Sequence, residues 1–199
     1  MFGDPISDNQ KWHLDKFGNV CSINPLRDKN IGDDIEVSFI PMQDINEDGT
    51  TESFEIRKYA EVKKGFTFCK EDDVLFAKIT PCMENGKGAI MKGLSNSIGL
   101  GSTEFHVLRP LDNISNSTWI FYLTKLDRFR KYAAHFMTGT GGQKRVPADF
   151  FKKFIIGVPP IELQNKFAAI AQQADKSKFE LRKSIETIDK VIKSLLKNK

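Results

Sequence analysis

Pro159-Pro160-Ile161-Glu162-Leu163-Gln164-Asn165-Lys166-Phe167-Ala168-Ala169-Ile170-Ala171 opens the stretch that decides the fold. The paired prolines stop the element before them, and from Ile161 to Lys199 the chain contains neither glycine nor proline. Phe167, Ala171, Ala174, Lys178, Leu181, Ile185, Ile188, Ile192 and Leu195 follow in alternating steps of four and three residues. This is the spacing of a coiled-coil seam, interrupted once by Lys178, where a bend or a polar register device is expected. The seam spans about 42 Å at ~1.5 Å per residue. The rest of the 199-residue chain makes one domain of ordinary size. So small a body cannot cover the whole stripe, which therefore calls for a partner helix.

Ahead of the prolines the pattern is β-rich. Val37 to Ile40, Gly65 to Phe68, Val74 to Ile79, Gly88 to Met91 and Glu104 to Leu108 carry strand-forming residues or period-two alternation. Asp48-Gly49, Asn85-Gly86 and Lys92-Gly93 punctuate them, and long polar loops lie around 43–53 and 80–87. Helical spacing predicts one helix over 117–135, with Ser117 as its N-cap. A glycine-rich loop follows, then a last strand over Phe154 to Val158. The expected architecture is α+β: a β-rich domain over 1–158 with a short helix, then a long coiled-coil helix over 159–199.

Composition narrows the function. With 40% hydrophobic and 28% charged residues the chain has a globular core, and no apolar run is long enough for a membrane span. The start lacks a secretory signal, and the three scattered cysteines, Cys21, Cys69 and Cys82, suit a reduced compartment, so the cytoplasm is expected. The net charge of +4 conceals a gradient. Residues 1–77 carry 9 Lys or Arg against 16 Asp or Glu, 78–145 carry 10 against 4, and 146–199 carry 11 against 6. A polyanion facing the middle and end of the chain is one reading, and solvated Lys-rich helices the other.

Three loops have side chains suited to nucleic acid. Thr138, Gly139, Thr140, Gly141, Gly142, Gln143, Lys144 and Arg145 combine close backbone approach with donors for phosphates or base edges. They lack the Gly-Lys-Ser/Thr of a P-loop and the third glycine of a dinucleotide fingerprint, and a flexible connection is the bland alternative. Thr80, Asn85 and Lys87 follow a strand containing Lys78, where Asn85-Gly86 could equally be a mere hairpin turn. Gln43, Asp44 and Asn46 are weaker candidates. Catalytic patterns are poor. His13, His106 and His135 are scattered, metal-ligand spacings are missing, and Glu61-Val62-Lys63 with Asp44 is a chance-level match to a metal-dependent nuclease.

In this order, four segments resemble the DNA-specificity (S) subunit of Type I restriction–modification systems. They are Asp73 to Pro81 with Asn85-Gly86-Lys87, Gly101 to Pro110, Gly141 to Pro147, and Val158 to Gln164. The resemblance implies a non-catalytic reader of double-stranded DNA. Partner methylation (M) and restriction (R) subunits would supply S-adenosylmethionine, ATP and Mg chemistry, with no cofactor in this chain. It places DNA contacts at Lys78, Thr80, Asn85, Lys87, Ser102, Thr103 and Thr138 to Arg145. It makes Phe167, Ala171, Ala174, Leu181, Ile185, Ile188, Ile192 and Leu195 the pairing seam of a homodimer or of two half-subunits. Family members carry two recognition domains, each followed by a helix, and Met1-Phe2-Gly3-Asp4-Pro5 with Trp12 resembles the start of the second, so half a subunit is expected. A stand-alone nuclease or methyltransferase fragment, or a regulatory half-subunit without DNA specificity, remain the alternatives.

Overall fold

Val74-Leu75-Phe76-Ala77 is buried on both faces, and its period of two divides the core. In a computed structural model, which describes residues 1–3, 6 and 11–197 (apart from the side chains of 191, 194, 195 and 197), this strand is β6. The preceding strands are β1 (His13–Lys16), β2 (Cys21–Ile23), β3 (Glu36–Ile40), β4 (Glu55–Lys58) and β5 (Thr67–Lys70), with a short helix α1 (Tyr59–Val62) after β4. After it come β7 (Gly88–Ile90), β8 (Ile98–Gly101), β9 (Phe105–Pro110) and helices α2 (Ser117–Lys125), α3 (Asp127–Ala134) and α4 (Ala148–Lys153). Strand β10 (Ile155–Val158) and the long helix α5 (Ile161–Lys197) complete the chain. This is the expected α+β class.

One antiparallel sheet has the order β2-β9-β6-β7, a second has β4-β3-β8-β5 with β3 and β8 parallel, and β1 pairs with β10 as a ribbon. Val74 and Phe76 point from β6 into a cluster with Phe17, Trp119, Phe129 and Phe151, under the helices. Leu75 and Ala77 point the other way, onto Ile40, Met91, Phe105 and Val107. The first sheet is thus covered by helices on one face and by the second sheet on the other. Burying each such large apolar side chain contributes roughly 1.5–3 kcal/mol.

Several expectations need correction. The single helix over 117–135 is two, because Leu126 is extended (φ −61°, ψ 127°) between α2 and α3. The apolar period runs across the break because Trp119, Ile120 and Phe129 all enter the same core. The N-cap is Asn116, whose Oδ1 accepts from the Trp119 amide at 2.8 Å. Ser117 instead donates its hydroxyl to the Asp72 carbonyl at 2.6 Å. His106 needs no correction: read from the sequence as solvent-facing or satisfied rather than as a base, it is buried and satisfied, its Nε2 2.8 Å from the Val146 carbonyl and its Nδ1 2.9 Å from Asn24. Strands β1, β2, β4 and β8, and helices α1 and α4, went unread. They are short: the strands find their partners only across the sequence, and helices of four and six residues are too brief to show a period.

Two glycines are required by geometry. Gly49 has φ +93°, and a Cβ there would lie 2.3 Å from Phe121 Cζ, so the tip of the 43–53 loop lies flush on α2. Gly139 has φ +130°, with the Gln143 carbonyl oxygen 2.4 Å from where a Cβ would be.

Helix α5 begins fused to the head. Gln164, 0% exposed, donates Nε2 to the Ile114 and Pro159 carbonyls at 2.9 and 2.8 Å and accepts from the Asn116 amide at 3.2 Å. Phe167 packs edge-on against Phe2 and Tyr122, both at 5.2 Å, and Ala171 is buried. Beyond this, Arg182 pairs with Asp48 at 3.0 Å. Phe167 and Ala171, expected in the pairing seam, therefore pack on their own head. From Leu181 through Ile185, Ile188 and Ile192 the stripe is exposed by 48–63%. A strict seven-residue repeat drifts about 20° per heptad on a straight helix, so a stripe that begins facing the head winds away from it. The side chain of Leu195, the last seam position, lies outside the described residues, as do Asp4, Pro5, Asn198 and Lys199.

Candidate nucleic-acid interface

Strands β3 and β6 and the β8–β9 turn end at the same edge of the molecule, so the loops that follow them meet there. The Ser102 amide donates to the Ile40 carbonyl at 3.1 Å, and the Lys78 amide to the Glu104 carbonyl at 2.9 Å. The return limb of the glycine-rich loop joins them, with the Val146 amide on the Lys78 carbonyl at 2.9 Å and the Thr80 amide on the Lys144 carbonyl at 3.0 Å. Thr80 Oγ1 donates to the Gly142 carbonyl at 2.5 Å and accepts from the Lys144 amide at 3.1 Å. Asn85 Nδ2 reaches Glu47 at 2.8 Å, and Lys87 Nζ the Met42 carbonyl at 3.3 Å. One hydrogen-bonded chain thus runs from residue 42 to residue 146 through all the loops singled out from the sequence.

Within this surface the candidates divide. Thr138 to Lys144 and Thr103 are exposed, while Lys78, Thr80, Lys87 and Ser102 are half-buried and bonded to their neighbours. Ser102 Oγ accepts from the Glu104 amide at 3.2 Å, which makes it a turn residue. Arg145 is not a free cation: its guanidinium forks onto Glu104 at 2.8–3.1 Å. The Arg145 hydrogen bond holds the Glu104 carboxyl below its ordinary range, and Glu104 raises Arg145 in return. Asn46 bonds Thr50 at 3.0 Å and Glu52 at 3.3 Å, bracing its own loop, whereas Gln43 is exposed.

Residues with no sequence signal hold the loops in place. Lys125 donates from behind to the Gly86 carbonyl at 2.9 Å and to the Glu47 carbonyl, tying the 80–87 loop to the 43–53 loop. Burial lowers its pKa, and nearby Arg130 adds to the effect. Arg130 donates to the Lys125 carbonyl at 2.5 Å and lies against Gly86. Asp48 is lowered to about 2 by the Thr50 hydroxyl, with Arg182 contributing. Glu47, Glu104 and the adjacent pair Lys125 and Arg130 come from three separate segments, and only folding brings them to the same loop surface. Lys63 pairs with Asp33 at 2.8 Å, and among the described residues no cluster of His, Cys, Asp or Glu could hold a metal ion. Nor, among them, is any helix long and apolar enough to cross a membrane. Cys21 and Cys69 are buried free thiols, their pKa values pushed up by desolvation.

A β-rich head with clustered polar loops, seated on a long helix, is the class of protein defined by this geometry. The chain belongs to the Type I restriction modification DNA specificity domain family, whose model matches residues 9–190. It is 39% identical over 191 residues to the EcoAI specificity subunit of Escherichia coli, covering 93% of this chain and 32% of that protein. To the EcoEI specificity subunit of the same organism it is 34% identical over 198 residues, covering 96% and 33%. The chain thus spans about a third of the curated relatives it matches. Among solved structures, the HsdS subunit from Thermoanaerobacter tengcongensis is similar at TM-score 0.67 and 19% identity, over 92% of this chain and 47% of that one. A chain of a structure described as the basis of complex assembly and conformational transition of the type I R-M system gives TM-score 0.65 at 20% identity, over 86% of this chain and 44% of that one. Both likenesses concern the fold.

Proposed function

We propose that the chain reads one half-site of a bipartite double-stranded DNA target and directs methylation and restriction subunits to it, without catalysis of its own. The observation that carries this is the hydrogen-bonded loop surface from residue 42 to 146. Its braced hairpin presents Thr138 to Lys144 outward, with Thr103 exposed on the neighbouring turn. Glycine amides and hydroxyls there suit phosphates, while Gln143 and Lys144 reach base edges. The exposed apolar stripe from Leu181 to Ile192 pairs with a second long helix, from another copy or another recognition unit. The stripe open for pairing, Leu181 to Ile192, covers about 17 Å at ~1.5 Å per residue, and it is the whole helix from Phe167 to Leu195, about 42 Å long, that is commensurate with the ~34–36 Å turn of B-DNA separating half-sites in dimeric readers. S-adenosylmethionine, ATP and Mg belong to the partner subunits in this reading, and the cytoplasm is where it operates.

The test is co-purification with the cognate methylation subunit, then mapping of methylated adenines in DNA exposed to the complex. Methylation confined to sites containing one short sequence supports the reading. Methylation without sequence preference would leave the regulatory alternative, and metal-dependent cutting or S-adenosylmethionine binding by the chain alone would favour an enzyme. Ile185→Glu with Ile188→Glu is expected to abolish self-association in sedimentation equilibrium.

A further inference from the structure

Asn85 and Glu47 stand on two different loops of the hydrogen-bonded surface, and their side chains meet. Asn85 Nδ2 donates to Glu47 Oε1 at 2.8 Å, while both residues remain exposed. A carboxylate only accepts, so this bond fixes which end of the Asn85 amide is nitrogen. One N–H and the Oδ1 atom are left open, a donor and an acceptor on one planar group. The loop does not need them for its own turn. Its left-handed residue is Gly86, at φ +74°. Main-chain bonds close it, from the Asn85 amide to the Pro81 carbonyl at 3.0 Å and from the Lys87 amide to the Cys82 carbonyl at 2.9 Å. Asn46, by contrast, spends its Nδ2 on Thr50 and Glu52 inside its own loop. The frame behind the pair is braced. Lys125 Nζ bonds the Glu47 carbonyl and, at 2.9 Å, the Gly86 carbonyl, so one ammonium holds the backbone beneath both side chains. Arg130, with only 16% of its side chain exposed, lies against Gly86 and donates to the Lys125 carbonyl at 2.5 Å. These two cations also offset the Glu47 carboxylate, which by itself would repel phosphates.

We infer that Asn85 reads the major-groove edge of one adenine, and that Glu47 is the positioning residue that aims it. Adenine presents there an N7 acceptor and an N6 amino donor, which an asparagine amide meets with its N–H and its Oδ1. Guanine presents two acceptors, so Oδ1 would face O6 and be repelled. Holding the amide in place before DNA arrives also reduces the side-chain entropy lost on binding. This role rests on the DNA-reading function proposed above, and it adds the base that is read and the residue that orients its reader.

The test uses the whole chain in complex with its methylation subunit, and a duplex carrying the target found by mapping methylated adenines. Each adenine of the target is replaced in turn by 7-deazaadenine, which lacks N7, and binding is measured by competition. At one position the parent should lose about tenfold or more in affinity. Asn85→Ala should lose a similar factor on the natural duplex and become indifferent to the replacement there, with its preferences at other positions retained. Glu47→Ala should show the same loss at that position alone, although it removes a negative charge. Glu47→Gln, whose amide oxygen still accepts from Asn85 Nδ2, should lose less. A side chain that merely stabilised the loops would not single out one atom of one base. Both residues are exposed, and the analogue series on the parent needs no variant, so misfolding cannot imitate the result. Three results would each overturn the inference while leaving the wider function standing: a target with no sensitive adenine, sensitivity that persists undiminished in Asn85→Ala, or Glu47→Ala matching the parent at every position. A parent complex without any sequence preference would overturn both.

Discussion

Replacing Gln164 with leucine probes how the reader is fastened to its rod. The side chain is wholly buried and satisfies two carbonyls, of Ile114 and Pro159, and the Asn116 amide. Leucine fits the space but makes none of these bonds. A buried polar group left unpaired costs about 1–3 kcal/mol. Pro159 is buried and bears the full penalty, whereas Ile114 is 43% exposed, so water replaces part of what its carbonyl loses. With the gain from a buried apolar side chain subtracted, the net loss is about 2–3 kcal/mol. For a chain of this size each kcal/mol lowers Tm by roughly 2–4 °C, so scanning calorimetry should show a drop of about 5–10 °C. Gln164→Glu sharpens the test. At neutral pH its carboxylate faces two carbonyl oxygens and should destabilise more than leucine, recovering part of the difference as acidification protonates it. A leucine variant melting within about 1 °C of the parent, or a glutamate variant tracking leucine at every pH, would refute the anchoring role.

Other perturbations probe the loop surface. Gly49→Ala forces a Cβ to within 2.3 Å of Phe121 and should cost about 1–3 kcal/mol, read as a lowered urea midpoint; an unchanged midpoint would mean that the loop does not seat on α2. Lys144→Ala should weaken DNA binding at all sequences and reduce the salt slope by about one unit, which titrations at several salt concentrations measure. Glu104→Gln should also weaken DNA binding, although it removes a negative charge, because Glu104 positions Arg145; tighter binding would show that the carboxylate merely repels phosphate. Asp48→Asn should be slightly destabilising near neutrality. The folded Asp48 carboxyl titrates near 2, below its ordinary 3.8, so its contribution is present above about pH 4 and disappears as pH falls through 2. Parent and variant melts should converge there; a gap that persists to pH 2 would place the effect elsewhere.

Local periodicity carried much of this reading. The pattern over Val74 to Ile79 identified β6, and the heptads after Pro160 identified α5, because both depend on spacings of a few residues. The segment ending in Gln164 was recognisable as a pattern, but not as an anchor, since its three partners lie at 114, 116 and 159. The break at Leu126 was invisible for the opposite reason. Core-facing residues keep helical time on either side of it.

The amino-acid order by itself determined the α+β class, the projecting helix with its apolar stripe, and the loops rich in donors, since each follows from short-range spacing and side-chain chemistry. Tertiary structure alone decided that those loops form one surface, that Arg145 is held by Glu104, and that Phe167 and Ala171 belong to the head while Leu181 to Ile192 do not. The physical reason is distance. Hydrogen bonds and ring contacts reach a few ångströms in space between residues tens of positions apart, and only the packing of two sheets and a helical layer brings those positions together.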